Sequence, residues 1–353
     1  MKKYASFRLK KGRMSFLIDK KVVLVFTLFL LFTLVLMIVS TGMGEMKIHP
    51  LDVVRALFGQ GEDMHALVIQ QFRLPRILIA FLVGASLAVS GAILQGIMRN
   101  PLASPDIIGI TSGAGVAVIT FLTFYLDSSN NTLTVSIHWL PFVAFLGATL
   151  VAFLIYGLSW NKGVTPVRLV LVGVGLDAAM KAMTQLLMIF GPLYLATQSK
   201  IWLTGSVYGS SWDNVWTLFP WVCFLLPFTF MITRILNVQE LGDDLATGVG
   251  SVVQKHRLLL LLVSTALAGG AVAFAGGIGF VGLMAPHIAR QLVGSAFGGL
   301  LPVSALIGGI IVLVADLVAR TAFTPLDIPA GVFTAAIGAP YFIYLLYKNR
   351  NVS

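Results

Sequence analysis

Arg73 and Arg76 stand in the tetrapeptide RLPR, where a polar flank meets a long apolar run. If the stretch is helical, a separation of three residues puts both guanidinium groups on one face. A pair of planar, permanently charged forks suits bidentate capture of carboxylates. At a membrane interface the same side chains can instead snorkel toward water. Arg320 ends another apolar run, and three such arginines on one side would form a receptor for an acidic partner. Asp177 and Lys181 are one helical turn apart within a third apolar run. At that spacing they pair, and charges inside a span face a cavity or a neighbouring helix because lipid makes them costly. A self-neutralised pair against another helix and a pair lining a water-filled route both fit. Asp316 invites the same reasoning, or pairs with Arg320 one turn further on.

The segment ELGDDLATGVG, residues 240–250, carries three of the chain's fourteen acidic residues within five positions. It lies between two long apolar runs, and a simple turn there needs far fewer residues. Another protein is therefore expected to dock on it. Polar breaks at MRNPLASPDIIG (98–109) and GFVGLMAPHIARQLVG (279–294) mark helix ends, with Asp106 placed to cap the helix that follows it. His287 has no second histidine at metal-binding spacing, so no metal site is expected and a structural polar contact is the simpler role. No Ser-His-Asp pattern or dinucleotide fingerprint sits on a plausible scaffold, and no G-x-x-x-x-G-K-[ST] occurs, so the chain has no phosphate-binding loop of its own. Cys223 is the single cysteine. It founds no disulfide framework and reads as a small buried hydrophobe.

The elements that must carry these residues follow from composition. The chain has 353 residues, 58% hydrophobic and 11% charged, against about a quarter charged in a soluble domain. Its mean hydropathy is +0.93. Apolar runs of helical length, rather than short alternations, predict an all-α polytopic membrane protein. The runs lie near 22–41, 75–97, 106–126, 139–158, 167–190, 214–234, 302–319 and 328–347. Residues 257–293 are too long for one crossing and short for two, with Gly276 and Gly277 in the middle.

Charge parity decides this. With two crossings there are ten transmembrane helices and both termini are cytoplasmic. Only Lys47, Arg55, Arg73, Arg76, Lys200 and Arg320 then lie outside, Lys181 lies within a span, and the other seventeen lysines and arginines lie inside, as the positive-inside rule favours. The net charge of +10 is concentrated before the first run, so it fixes orientation and does not suggest nucleic acid. The first run is too long for a signal-peptide core and reads as a retained helix. The expected organisation is a basic cytoplasmic tail (1–21), one membrane domain (22–347) with its largest cytoplasmic loop at 235–256, and a short cytoplasmic tail (348–353). External segments span 42–74, with a short amphipathic helix in His49–Gly59, and 191–213. Stripes of small residues, Gly84/Ala88/Ala92 and Gly109/Gly113/Ala117, suit close helix packing.

Three stretches carry a family resemblance. RLPRILIAFLVGASLAVSGAILQGIMRNPLASPDIIGITSGAG (73–115), GFVGLMAPHIAR (279–290) and DIPAGVFTAAIGAPYFIYLL (327–346) resemble the iron-siderophore and cobalamin permeases of bacterial ABC importers, over about residues 20–350. The resemblance implies a multi-pass protein of the bacterial inner or plasma membrane, working by alternating access. It implies a second permease (a paralogue or another copy), two ATP-binding subunits inside that hold ATP and magnesium, and a siderophore-binding protein outside. No cofactor is implied in this chain. Arg73, Arg76 and Arg320 match positions that meet acids of the binding protein. Glu240, Leu241, Gly242, Asp243, Asp244, Leu245, Ala246 and Gly248 match the segment that couples to the ATPase. Asn161, Thr165 and Pro166 match the inner gate, and the helix of Asp177 and Lys181 lines the route. A ferric siderophore is the expected cargo, hydroxamate or citrate-hydroxamate first, with cobalamin or haem as the alternative. A proton- or sodium-coupled transporter using Asp177 and Asp316, and an intramembrane enzyme using His287 as base, are the competing classes.

Overall fold

In hydrocarbon a backbone N–H or C=O has no water to bond, so long apolar runs close their hydrogen bonds within themselves. A computed structural model of the chain has that outcome. It describes residues 4–8, 15–44, 46–60, 63–127, 132–190, 193–323 and 327–349. The helices are α1 (Lys20–Gly42), α2 (Pro50–Leu57), α3 (Asp63–Leu67), α4 (Leu74–Met98), α5 (Ile110–Tyr125), α6 (Leu140–Leu158), α7 (Pro166–Phe190), α8 (Leu193–Thr204), α9 (Trp212–Met231), α10 (Thr233–Glu240), α11 (Asp243–Gly248), α12 (Val253–Ala275), α13 (Val281–Val293), α14 (Phe297–Thr321) and α15 (Ala330–Asn349). Every predicted apolar run carries a helix. Eight of the described helices are long and apolar enough to cross a membrane, and α5 and α13 are shorter. The predicted amphipathic helix is α2, opened by Pro50 and capped by the His49 ring. Within the expected N-terminal tail, β1 (Tyr4–Arg8) and β2 (Ser15–Asp19) form an antiparallel ribbon. A second short ribbon pairs β3 (Leu126–Asp127) with β4 (Thr132–Leu133).

The core forms around α4, which is buried almost throughout and packs on α12, α13 and α14. Glycines let these backbones touch. A Cβ on Gly91 would lie 1.8 Å from the Gly282 carbonyl oxygen, and one on Gly84 would lie 2.2 Å from that of Gly308. Lipid supplies little hydrophobic drive between helices, so close packing of small residues has to hold them. Exchanging Gly91 for leucine is accordingly expected to cost at least about 4 kcal/mol, by overpacking against backbone that cannot rotate away. Size-exclusion chromatography in mild detergent should show loss of the monodisperse species.

The 257–293 region differs from the two short helices joined by a glycine turn that its length predicts. α12 is a full-length helix and α13 a short one, with a non-helical stretch, residues 276–280, between them. Gly276 takes φ +65°, and a Cβ there would lie 1.9 Å from the Trp202 carbonyl oxygen. Backbone bonds tie this stretch to its surroundings: Gly277 N–H to Trp202 at 3.3 Å and Ser206 N–H to Ala275 at 2.8 Å, while Gly331 N–H reaches Gly205 at 2.9 Å. Non-helical backbone is tolerated here because the surrounding protein satisfies it. The carboxylate of Asp106 takes part. It accepts from the N–H of Phe280 at 3.3 Å, ahead of α13, and so does not cap its own following helix α5. Cys223 is exposed on the outside of the bundle, not buried as a lone cysteine suggests.

Candidate functional site

Except for Asp177 and Lys181 on α7, the predicted site residues gather near opposite ends of α4. At its start, Pro75 has no N–H to continue the helical ladder, and the preceding turn widens to a π-helix, Val68–Arg73, closed by Leu74 N–H to Ile69 C=O. Arg73, the last residue of that turn, donates to the carbonyls of Thr41 at 2.8 Å and Met46 at 2.6 Å. Arg76 lies one turn on and pairs with other partners. It meets Asp316 at 2.8 Å and grips both oxygens of Asp327, at 2.9 and 3.2 Å. Its guanidinium carbon also stands 5.5 Å from the ring centre of Tyr208. Arg320 donates to the carbonyls of Ser40 and Met43 and to Ser40 Oγ at 2.8 Å, with Asp316 3.5 Å away. The three arginines are thus brought together, as their common side requires. All three are turned largely inward, onto Asp316, Asp327 and the end of α1. Asp316 pairs with Arg76 as well as with the Arg320 that its spacing suggests.

The other end of α4 carries the acidic segment. It folds as α10 and α11, and two of its three acids bind inward. Glu240 meets Arg290 at 2.9 Å. Asp243 bridges Arg99, just past the end of α4, and Arg257 at 2.8 Å. Burial alone would push the Asp243 carboxyl up, but the hydrogen bonds and charges of Arg257 and Arg99 outweigh it and hold the pKa below the usual carboxylate range. A lowered pKa means that the pairing stabilises the fold at all pH above that range and is lost only as pH falls through the lowered value. Asp244 faces solvent with Leu241, Leu245, Val249 and Val252, while Ala246 is buried underneath. The exposed feature of the segment is therefore an apolar ridge with one acid beside it. Gly242 (φ +111°) ahead of α11 and Gly250 (φ +84°) beyond it allow the sharp entry and exit.

The predicted gate residues lie beside this segment. Asn161 and Thr165 are exposed, and Pro166 begins α7. Between them Val164 is buried, its N–H donating to Gln254 Oε1 at 3.0 Å and its carbonyl accepting from Arg257. Further along α7, Lys181 pairs with Asp177 at 2.8 Å, and the Ser112 hydroxyl donates to the other oxygen of Asp177. Asp177 faces the bundle, whereas the Lys181 side chain is 64% exposed. His287 lies beside Gln291 and the ring of Tyr341. Among the described residues no three His, Cys, Asp or Glu side chains converge on a metal site.

Sequence reasoning missed Asp327, Arg99, Gln254 and Arg257 as partners. Arg99 and Arg257 counted only as positive charge on one side, and Asp327 only as part of a motif. Their pairing depends on contacts across long sequence separations, which one sequence does not reveal.

Comparison with known proteins adds the following. The FecCD transport family model matches residues 31–348. The chain is 54% identical to a probable siderophore transport system permease protein of Bacillus subtilis, over 94% of this chain and 97% of the relative. It is 46% identical to an achromobactin transport system permease protein of Dickeya dadantii, over 97% and 96%. It is 45% identical to an iron(3+)-hydroxamate import system permease protein of Bacillus subtilis, over 94% and 98%. A solved ABC transporter of the metal-chelate type, in an inward-facing conformation, matches with a TM-score of 0.81 at 31% identity, covering 92% of this chain and 99% of that one.

Proposed function

Because the chain belongs to the FecCD transport family, we propose that it carries a ferric siderophore into the bacterial cytoplasm by alternating access, powered by ATP hydrolysis in separate subunits. It is a multi-pass permease subunit of an ABC transporter. The observation that carries the cargo assignment is that its full-length relatives are permeases for a siderophore, achromobactin and iron(3+)-hydroxamate. The test is reconstitution with ATPase and binding protein and measurement of radiolabelled ferric hydroxamate and ferric citrate-hydroxamate uptake. Uptake that follows ATP and survives an uncoupler supports the reading. Uptake that follows an ion gradient and ignores ATP overturns it.

In this reading the ridge of Leu241, Leu245, Val249 and Val252 faces the cytoplasm and seats in a cleft of the ATPase. An exposed apolar patch rimmed by polar residues is the physical mark of such a contact. A second permease covers the outer face of α7. Lys181 is nine residues from the end of that helix, about 13 Å at 1.5 Å per residue, too far for its stem to reach the interface. An exposed ammonium at that depth needs a protein neighbour or a water-filled route rather than lipid. The same face presents Gly175, Ala178, Ala179 and Ala182, small enough for a close approach.

The siderophore-binding protein docks at the arginine end. Three arginines against Asp316 and Asp327 leave positive charge in surplus there, which favours acids on the partner. Asp327 occupies Arg76 in the isolated subunit, so docking exchanges one carboxylate for another. Asp327→Asn is expected to tighten binding-protein docking about threefold or more, by removing this competitor and one negative charge. Surface plasmon resonance on nanodisc-embedded transporter measures it. Unchanged or weaker docking would mean that Arg76 only holds the fold together.

A further inference from the structure

We infer that Arg257 is the joint through which movement of α11 reaches the 159–165 loop, so that it converts a displacement at the ATPase contact into movement of the inner gate. This rests on the reading of α11 as the ATPase-docking element and of the loop at 161–166 as the inner gate. Arg257 is fully buried near the start of α12. It bridges two separate elements: Nη2 donates to Asp243 of α11 at 2.8 Å, and Nη1 donates to the carbonyl of Val164. Its Nε is left without an acceptor.

Three bonds fix the loop to α12. Besides the Arg257 contact, Gln254 accepts from Val164 N–H at 3.0 Å and donates to the Val164 carbonyl at 3.3 Å. Gly163 (φ +123°) makes room, since a Cβ there would lie 2.9 Å from Gln254 Nε2. On the other side Asp243 is held by Arg257 and Arg99. Sliding α11 past α12 would strand a buried guanidinium without its counter-ion, which is strongly unfavourable. Moving α11, the first turns of α12 and the loop together keeps Arg257 paired with both Asp243 and Val164, and only the Arg99 contact from the end of α4 has to adjust. The exposed side chains Asn161 and Thr165 are then carried by a body anchored at Val164. Arg257 acts here as a positioning residue: it touches neither cargo nor nucleotide.

The test uses the complete transporter, assembled with its ATPase subunits, bearing Cys223→Ser and a spin label at Asn161→Cys. The nucleotide-dependent change in the label's spectrum is measured per assembled complex, alongside ATP hydrolysis. Arg257→Gln is expected to continue hydrolysing ATP while the label's response falls at least fivefold. Gln254→Ala, which loosens the loop without touching a buried charge, should reduce the response in the same direction and decides the matter if Arg257→Gln fails to accumulate. A merely structural Arg257 would lower the yield of complex and leave the response per complex intact, and that result overturns the inference. Leu245→Glu serves as the separate control. If it leaves ATPase binding unchanged, the docking assignment of α11 fails, whatever Arg257 does.

Discussion

Replacing Arg76 with glutamate is expected to remove most of the folded protein. Asp316 is 1% exposed and Arg76 13% exposed, so the pair is desolvated. Losing one partner of such a pair costs about 3–5 kcal/mol, because the other charge stays buried and uncompensated. The substitution also sets a third carboxylate beside Asp316 and Asp327, both of which Arg76 now grips. Arg320 remains near Asp316, its Nε 3.5 Å away, but its two terminal nitrogens are already committed to Ser40 and Met43. Against a total stability of roughly 5–15 kcal/mol for a typical protein, such a loss is decisive. The fraction of protein that stays monodisperse on heating in detergent reports it, with Arg55→Glu as an exposed control expected to behave like the parent. A parental melting curve for the Arg76 variant would show that the cluster is not a structural keystone. The consequence for docking studies is direct. Charge reversal at Arg76 confounds lost docking with lost fold, whereas Asp327→Asn separates them.

Leu245→Glu is expected to abolish assembly with the ATPase, and with it uptake, while the subunit itself folds normally. Leu245 is 62% exposed on α11, with exposed Val249 one turn further on and exposed Leu241 just before the bend at Gly242. Little of the permease's own packing depends on it. Burying a leucine of this kind contributes about 1.5–3 kcal/mol, and forcing a carboxylate into the same apolar cleft adds a desolvation penalty. The combined effect is a fall in affinity of about a hundredfold or more, at 1.4 kcal/mol per factor of ten. Co-purification of the ATPase with tagged permease measures it. Retained co-purification would mean that the ridge is not the contact. Neutralising Glu240 or Asp243 acts through a different route, since these acids hold Arg290, Arg99 and Arg257. Such variants should disturb the seating of α11 rather than its outer surface.

The pairings explain why the acidic segment was legible as a special feature while its chemistry was not. Three acids in five positions signalled a held-out segment, and a held-out segment is present. A one-dimensional count does not say which way Glu240 and Asp243 point. Arg99 is 144 residues from Asp243 along the chain, and they meet only because α4 and α10 end at the same level. The two arginines of RLPR show the same limit. Their spacing alone put them on one face, yet Pro75 breaks the ladder and each finds its own partners. The break at Gly276 falls where the glycines place it, but the exposure of Cys223 and the unequal lengths of α12 and α13 escaped for a related reason: burial and the path of non-helical backbone depend on neighbours that the local sequence does not name.

By itself the sequence determined the class of this protein and the position of every long helix except α12. Hydrocarbon leaves a backbone little choice but helix, so composition suffices for these. Only the tertiary structure decided which charges face inward, which apolar side chains remain outside and where α13 is shortened. Those outcomes rest on close contacts between segments far apart in the chain. A glycine, a carbonyl or a carboxylate acquires its role there from what is packed against it.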